Sequence, residues 1–202
     1  LHDALPIFLE RNAQAMAPSV RCVIDESMLK RIGNSLSTRP RGAEVPPWLA
    51  EIGMIQSTFA LDFGSFRDLQ RHRNGTIRMP MLTMELGFHP WYIGELPPSM
   101  LQRVGNLLLE QQKAITALHA EPVEMQNYVA MGYVVPCRVT QNFPAYVYRL
   151  ELRSSKTVHP TLRQVIHREI SWFKTKFPNV ALHVDMDEDS WTLRRGKQTI
   201  EA

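Results

Sequence analysis

The sequence predicts an α/β (α+β) domain, a mixed β-sheet flanked by long helices, and three patterns carry that expectation. In the first, Ile55, Ser57, Phe59, Leu61 and Phe63 alternate with Gln56, Thr58, Ala60 and Asp62. That period of two predicts a strand over 54–63. In the second, Met100, Val104, Leu107, Leu108, Ile115 and Leu118 line one face of a helix, expected to run from an N-cap at Ser99 to about His119. In the third, Leu162, Val165, Ile166, Glu169 and Phe173 form one stripe on a helix over 160–176.

The other elements follow in chain order. Residues 1–7, Leu1-His2-Asp3-Ala4-Leu5-Pro6-Ile7, read as an adapter-derived string foreign to the fold. Residues 8–47 read as a helical segment and linker at the end of an upstream domain, ahead of the domain over 48–202. Within that segment Val20, Val23, Ile24, Met28 and Ile32 fall near helical spacing, with Asp25 and Glu26 on the polar side. The Arg-, Pro- and Gly-rich stretch 38–47 is either that linker or a surface loop inside one domain. Gly64-Ser65 ends the strand, and residues 66–73 continue as a short helix with Phe66 and Leu69 inward, stopped at Asn74-Gly75. Residues 76–86 are strand-like, and a helix over 122–131 begins at Pro122. A strand over 133–140, a helix over 145–153, a last strand over 180–184 and an acidic turn over 185–189 complete the chain.

Composition narrows the chemistry. The 202 residues are 44% hydrophobic and 21% charged, which fits a globular domain and excludes a disordered chain. A net charge of +3 suits anionic small molecules, while no basic tract is long enough to argue for nucleic acid. Cys22 and Cys137 form neither a metal spacing nor a disulfide framework, so a reducing, cytoplasmic setting is expected. No apolar run approaches the ~20 residues of a membrane span. His89 and His119 stand alone, and His159 and His167 are too far apart for a chelating pair. The acidic turn lacks the glycine and closing glutamate of a calcium loop, so it is expected to be solvated. Met79, Met81 and Met84 are expected in the core, and Trp191 in the core or an interface.

The densest chemical cluster is Arg71-His72-Arg73. Two guanidiniums and an imidazole bind phosphates and stack on planar rings. On a helix neighbours diverge by about 100°, so the three would serve a site shared between subunits or across a cleft. Read alone, the same residues also complement the dipole at a helix C-terminus.

The stretch from Thr58 to Thr76 resembles the signature of flavin-dependent thymidylate synthases, in which a strand leads to a helix ending in Arg-His-Arg-x-x-Ser; Thr76 stands at the serine. Tyr133-Val134-Val135-Pro136, Asn142, Leu150-Glu151-Leu152-Arg153 and His159 resemble that family's downstream block, in the same order. The resemblance covers about Met54 to Phe177. It implies a homotetramer with active sites at subunit interfaces, or pairing with an upstream domain. It further implies methylation of dUMP to dTMP with methylenetetrahydrofolate, and FAD passing on a hydride from NADPH. Arg71, His72, Arg73 and Asn142 would contact FAD, and Arg153 would hold the uracil or its phosphate and stabilise charge developing on the pyrimidine.

The pattern also departs from the family. Arg78 and Met79 stand where Asn-Glu is expected, and the following Ser and Arg of the nucleotide site are missing. Gly132 occupies the place of a phosphate-binding Arg, and Asp68 that of a polar residue near the substrate. Arg78 would then supply positive charge to the nucleotide. The alternatives are a structural domain of the same fold that supports a catalytic partner domain, and a nucleic-acid module using Arg39, Arg41, Arg71, Arg73 and Arg78. Scattered acids weigh against the last.

Overall fold

The alternating residues of 54–63 do form a strand, and a second strand in the same sheet has the same pattern. In the computed structural model, which describes residues 18–188 and the backbone of 192–195 and 198–201, these are β2 (Gly53–Asp62) and β4 (Val134–Asn142). Along β2, Ile55, Ser57, Phe59 and Leu61 are buried; along β4, Val135, Cys137, Val139 and Gln141 are. With β1 (Ser19–Ile24) and β3 (Thr76–Arg78) they make a four-stranded antiparallel sheet in the order β1-β2-β4-β3. The α/β expectation therefore holds, but the sheet, expected to be mixed, is antiparallel. The helices are α1 (Glu26–Arg31), α2 (Gly33–Ser37), α3 (Phe63–Leu69), α4 (Pro90–Gly94), α5 (Pro98–Thr116), α6 (Pro122–Met125), α7 (Phe143–Arg153) and α8 (Pro160–Lys176). A separate hairpin joins β5 (Thr192–Arg195) to β6 (Gln198–Glu201), with Thr192 opposite Glu201.

The helix expected over 20–36 is instead a strand followed by two short helices. β-Branched Val20, Val23 and Ile24 favour the pleat, and Asp25 stops the strand: its carboxylate caps α1 by accepting from Ser27 N at 2.9 Å. β1 pairs with β2 from Ser19↔Thr58 to Ile24↔Gly53, so residues on both sides of position 47 share one sheet. Gly53 is needed at that junction. Its φ is 139°, and a Cβ there would lie 2.0 Å from the Val23 carbonyl oxygen.

The chain divides into two compact units. One, 59–68 with 78–137, holds α3 to α6. Phe63 N donates to Tyr133 O and Gly64 N to Met131 O, fastening the start of α3 to the approach to β4. α5 is capped at Pro97 rather than at Ser99, with Pro98 in its first turn, where the missing N–H costs nothing. Its buried residues are Gly105 and Ile115, while Leu107 and Leu118 of the expected inward face are exposed. The expected helix over 122–131 shortens to α6 and one 3-10 turn, Gln126–Tyr128. Met81 is exposed and Met79 and Met84 are half-buried, so the expected methionine core is not formed.

The other unit, 19–58, 69–77 and 138–202, carries the larger core. α7 and α8 pack together, with Phe143, Tyr146, Val147 and Leu150 from one and Leu162, Ile166, Ile170 and Phe173 from the other all buried. Full burial of each such side chain contributes about 1.5–3 kcal/mol. The expected strand over 180–184 has no regular structure. Ala181 N donates instead to Leu36 O and His183 N to the Glu151 carboxylate at 2.9 Å. Among the described residues no helix is long and apolar enough to cross a membrane, and no group of three or more His, Cys, Asp or Glu side chains is placed to hold a metal ion.

Candidate functional site

The Arg71-His72-Arg73 segment is not helical. α3 ends at Leu69, and His72 N closes its last turn by donating to Leu69 O at 2.9 Å. The three residues sit in the loop before β3, so the argument that helical spacing must splay them apart does not apply. His72 is buried, while the flanking Arg71 and Arg73 side chains are exposed.

α7 positions this loop from the side. Arg153, in its last turn, donates from Nε to His72 Nε2 at 2.8 Å, joining residues 81 positions apart. An imidazole nitrogen that accepts carries no proton, so this contact favours the tautomer protonated at Nδ1. The exposed ring of Tyr148 meets His72 edge-on, with centroids 6.1 Å apart. The two stretches that carry the family resemblance therefore meet at a named contact.

The far end of the loop is held as well. Gln141, the buried penultimate residue of β4, donates from Nε2 to Asn74 O at 3.2 Å. Next to it Gly75 has φ 142°, and a Cβ there would lie 2.5 Å from Gln141 Cγ and 2.7 Å from Thr140 O. Only glycine lets the chain lie this close to β4.

Of the other expected site residues, Asn142 caps α7: its Oδ1 accepts from Ala145 N at 3.0 Å. It precedes the 11-residue helix that Arg153 ends, so the two lie roughly 16 Å apart along the axis at ~1.5 Å per residue. Arg78 ends β3, is exposed, and belongs to the other compact unit. Arg39 is removed from the phosphate-facing arginines. It is 6% exposed and donates to Ala43 O, to the Glu151 carboxylate and, at 2.9 Å, to Ala181 O. His159 Nδ1 pairs with Thr161 Oγ1 at 2.9 Å. The acidic turn is not merely solvated: Asp185 O meets His167 Nε2 at 3.0 Å, and buried Arg163 reaches the Asp185 carboxylate at 3.8 Å. Asp189 and Trp191 lie outside the described residues.

Sequence reading missed three residues behind the loop. Arg149, 0% exposed, donates from Nε to Gln141 Oε1 at 2.8 Å and from Nη1 to Glu169 Oε2 at 2.6 Å. Its guanidinium lies 4.9 Å from the Tyr146 ring centroid. Burial, then the Glu169 charge, pushes the Tyr146 hydroxyl well above its usual range, so it stays protonated. A signal was present: Glu169 falls within the apolar stripe of α8, and a carboxylate there requires a buried cation.

In the other unit, Asp62 is fully buried; its Oδ2 accepts from Ser65 N at 2.9 Å and Tyr92 OH at 3.1 Å. Burial lifts the Cys137 thiol and the Tyr92 hydroxyl, and the Asp62 charge raises both further. Cys137 is therefore no thiolate nucleophile. At Gly132, where the resemblance expects an arginine, the Phe88 ring fills the space: a Cβ would lie 2.2 Å from Phe88 Cζ. Gly132→Ala is expected to destabilise the protein by about 1–3 kcal/mol through overpacking. Chemical denaturation would measure the loss, and the double variant with Phe88→Ala should not add the two costs.

Fold and site together define a mixed α/β protein that presents a two-arginine loop braced by one helix. The chain is 27% identical over 173 residues to a "UPF0159 protein" of Chlamydia muridarum, covering 83% of this chain and 32% of that protein. It is 31% identical over 130 residues to a UPF0159 protein of Thermoplasma acidophilum, covering 59% of this chain and 24% of the relative. The chain thus spans a third or less of the length of these relatives, whose names state no function. No family model matches it.

Proposed function

We propose that the chain is an FAD-binding, thymidylate-synthase-like domain acting on dUMP, with methylenetetrahydrofolate and NADPH as co-substrates. The observation that supports this reading most is the 2.8 Å contact between Arg153 and His72. It joins the loop expected to hold flavin to the residue expected to hold the pyrimidine.

The residues suit the cofactor. Exposed Arg71 and Arg73 are matched to a pyrophosphate. The exposed Tyr148 ring beside His72 offers a surface for a planar ring. Asn142, the N-cap of α7, is assigned to FAD as well. When bound, FAD would supply hydride transfer. Arg153 orients His72 with Nε and is assigned to the uracil or its phosphate, where its charge would stabilise charge developing on the ring. Exposure of Arg71 and Arg73 fits a site completed by another subunit of a homotetramer, or by a further domain of a longer protein.

The absorption spectrum of the purified protein, with and without added FAD, tests this. Bands of bound flavin are expected, and Arg71→Ala and His72→Ala should each reduce the flavin retained. Retention of flavin by both variants would remove the site assignment.

A second reading is favoured by the Phe88 ring at Gly132. On it, the chain is a structural domain that supports a catalytic partner domain. A colourless protein that ignores excess FAD would select it.

A further inference from the structure

Arg149 and Arg153 stand four residues apart, on one face of α7, and both are directed at the 72–75 loop. Arg153 reaches it directly at His72. Arg149 reaches it through Gln141: Glu169 Oε2 to Arg149 Nη1 is 2.6 Å, Arg149 Nε to Gln141 Oε1 is 2.8 Å, and Gln141 Nε2 to Asn74 O is 3.2 Å. Glu169 is 3% exposed, Gln141 1% and Arg149 0%, so water does not compete for these bonds. The loop is thereby tied at both ends, on either side of the exposed Arg73.

The Gln141 amide completes this chain because it carries both an acceptor and a donor. It must accept from a guanidinium with its oxygen and donate to a carbonyl with its nitrogen. A carboxylate satisfies the first partner and repels the second. A hydrocarbon side chain satisfies neither.

We propose that Gln141, fixed by Arg149 and Glu169, is a positioning residue that holds the Arg71–Arg73 loop in its ligand-ready form. The part of this inference that concerns FAD rests on the function proposed above; the part that concerns the loop does not. A loop already ordered loses less conformational entropy when its ligand binds, so affinity rises without a new ligand contact.

Gln141→Glu separates this role from simple packing, because it keeps the Arg149 contact and removes the donor to Asn74. Trypsin reports on the loop without any ligand, since Arg71 and Arg73 are both exposed cleavage sites. Cleavage after these residues, followed by mass spectrometry, should quicken by about tenfold, the share of one buried hydrogen bond. The thermal midpoint should fall by only a few degrees, and FAD affinity should fall by about the same tenfold factor as cleavage quickens. Gln141→Asn, which keeps the amide but is one methylene too short to span both partners, should behave likewise and covers the case in which the first variant fails to fold. Unchanged cleavage in a folded variant overturns the inference. Faster cleavage in a protein that never binds FAD upholds loop positioning and removes the flavin reading instead.

Discussion

Glu169→Ala is expected to destabilise the protein by about 3–5 kcal/mol, the largest effect of any single charge removal considered, because it strands the Arg149 guanidinium in a dry interior. Arg149 is 0% exposed and lies among Tyr146, Gln141 and Glu169, with no route to water for its charge. Arginine cannot lose its proton to escape, unlike a buried lysine. Urea unfolding followed by circular dichroism measures the loss. The converse follows from the same physics: Arg149→Met with Glu169→Leu removes both charges together, and most of the stability should return. A double variant as unstable as Glu169→Ala would show that the ion pair stabilises the fold for some reason other than mutual neutralisation. The double variant also gives up the Gln141 contact, so regained stability and a loosened loop are expected in one protein.

Arg153→Ala is expected to weaken FAD binding by about tenfold to a hundredfold, the range set by loss of a charge-assisted hydrogen bond of 1.5–3 kcal/mol. Its Nε holds His72 in one tautomer and one orientation, so the effect should appear in flavin affinity as well as in any affinity for nucleotide. Arg153→Lys keeps the charge without the fixed fork of N–H groups, and should restore only part of the binding. Titration of the purified protein with FAD, followed by the visible spectrum, distinguishes the two roles. Flavin affinity unchanged in both variants would confine Arg153 to the nucleotide or to the fold.

Much of the architecture was legible because burial writes itself into periodicity. The helix over 160–176 was expected with the bounds that α8 has, since its stripe is unbroken and Pro160 marks its first turn. β2 was legible within one residue at each end for the same reason. The segment 20–36 was misread because Val20, Val23, Ile24 and Met28 fit helical spacing in projection, while only the first three lie in the strand that Asp25 ends. The end of α3 was misplaced because nothing in Gln70-Arg71-His72 forbids a helix; the Leu69 carbonyl closing on His72 N is a local choice. In the site, the sequence pointed to His72 and Arg153 as important without giving their contact, which depends on how the loop packs along α7. Gln141 was not legible, and Arg149 only indirectly, through the carboxylate of Glu169 on the apolar stripe of α8. Each is an ordinary polar residue until the fold buries it beside Glu169.

The four-residue interval between Arg149 and Arg153 makes one helix the measuring stick for a loop some eighty positions earlier in the chain. Each residue of an α-helix turns by about 100° and advances ~1.5 Å. A single insertion or deletion between the two arginines would swing one of them off the loop altogether. Changes of length are therefore barred inside that interval, although an exposed helix end ordinarily accepts them. The loop and this turn of α7 are one mechanical unit: a change at His72 alters what Arg153 can hold, and a shift in either arginine alters which loop can be held.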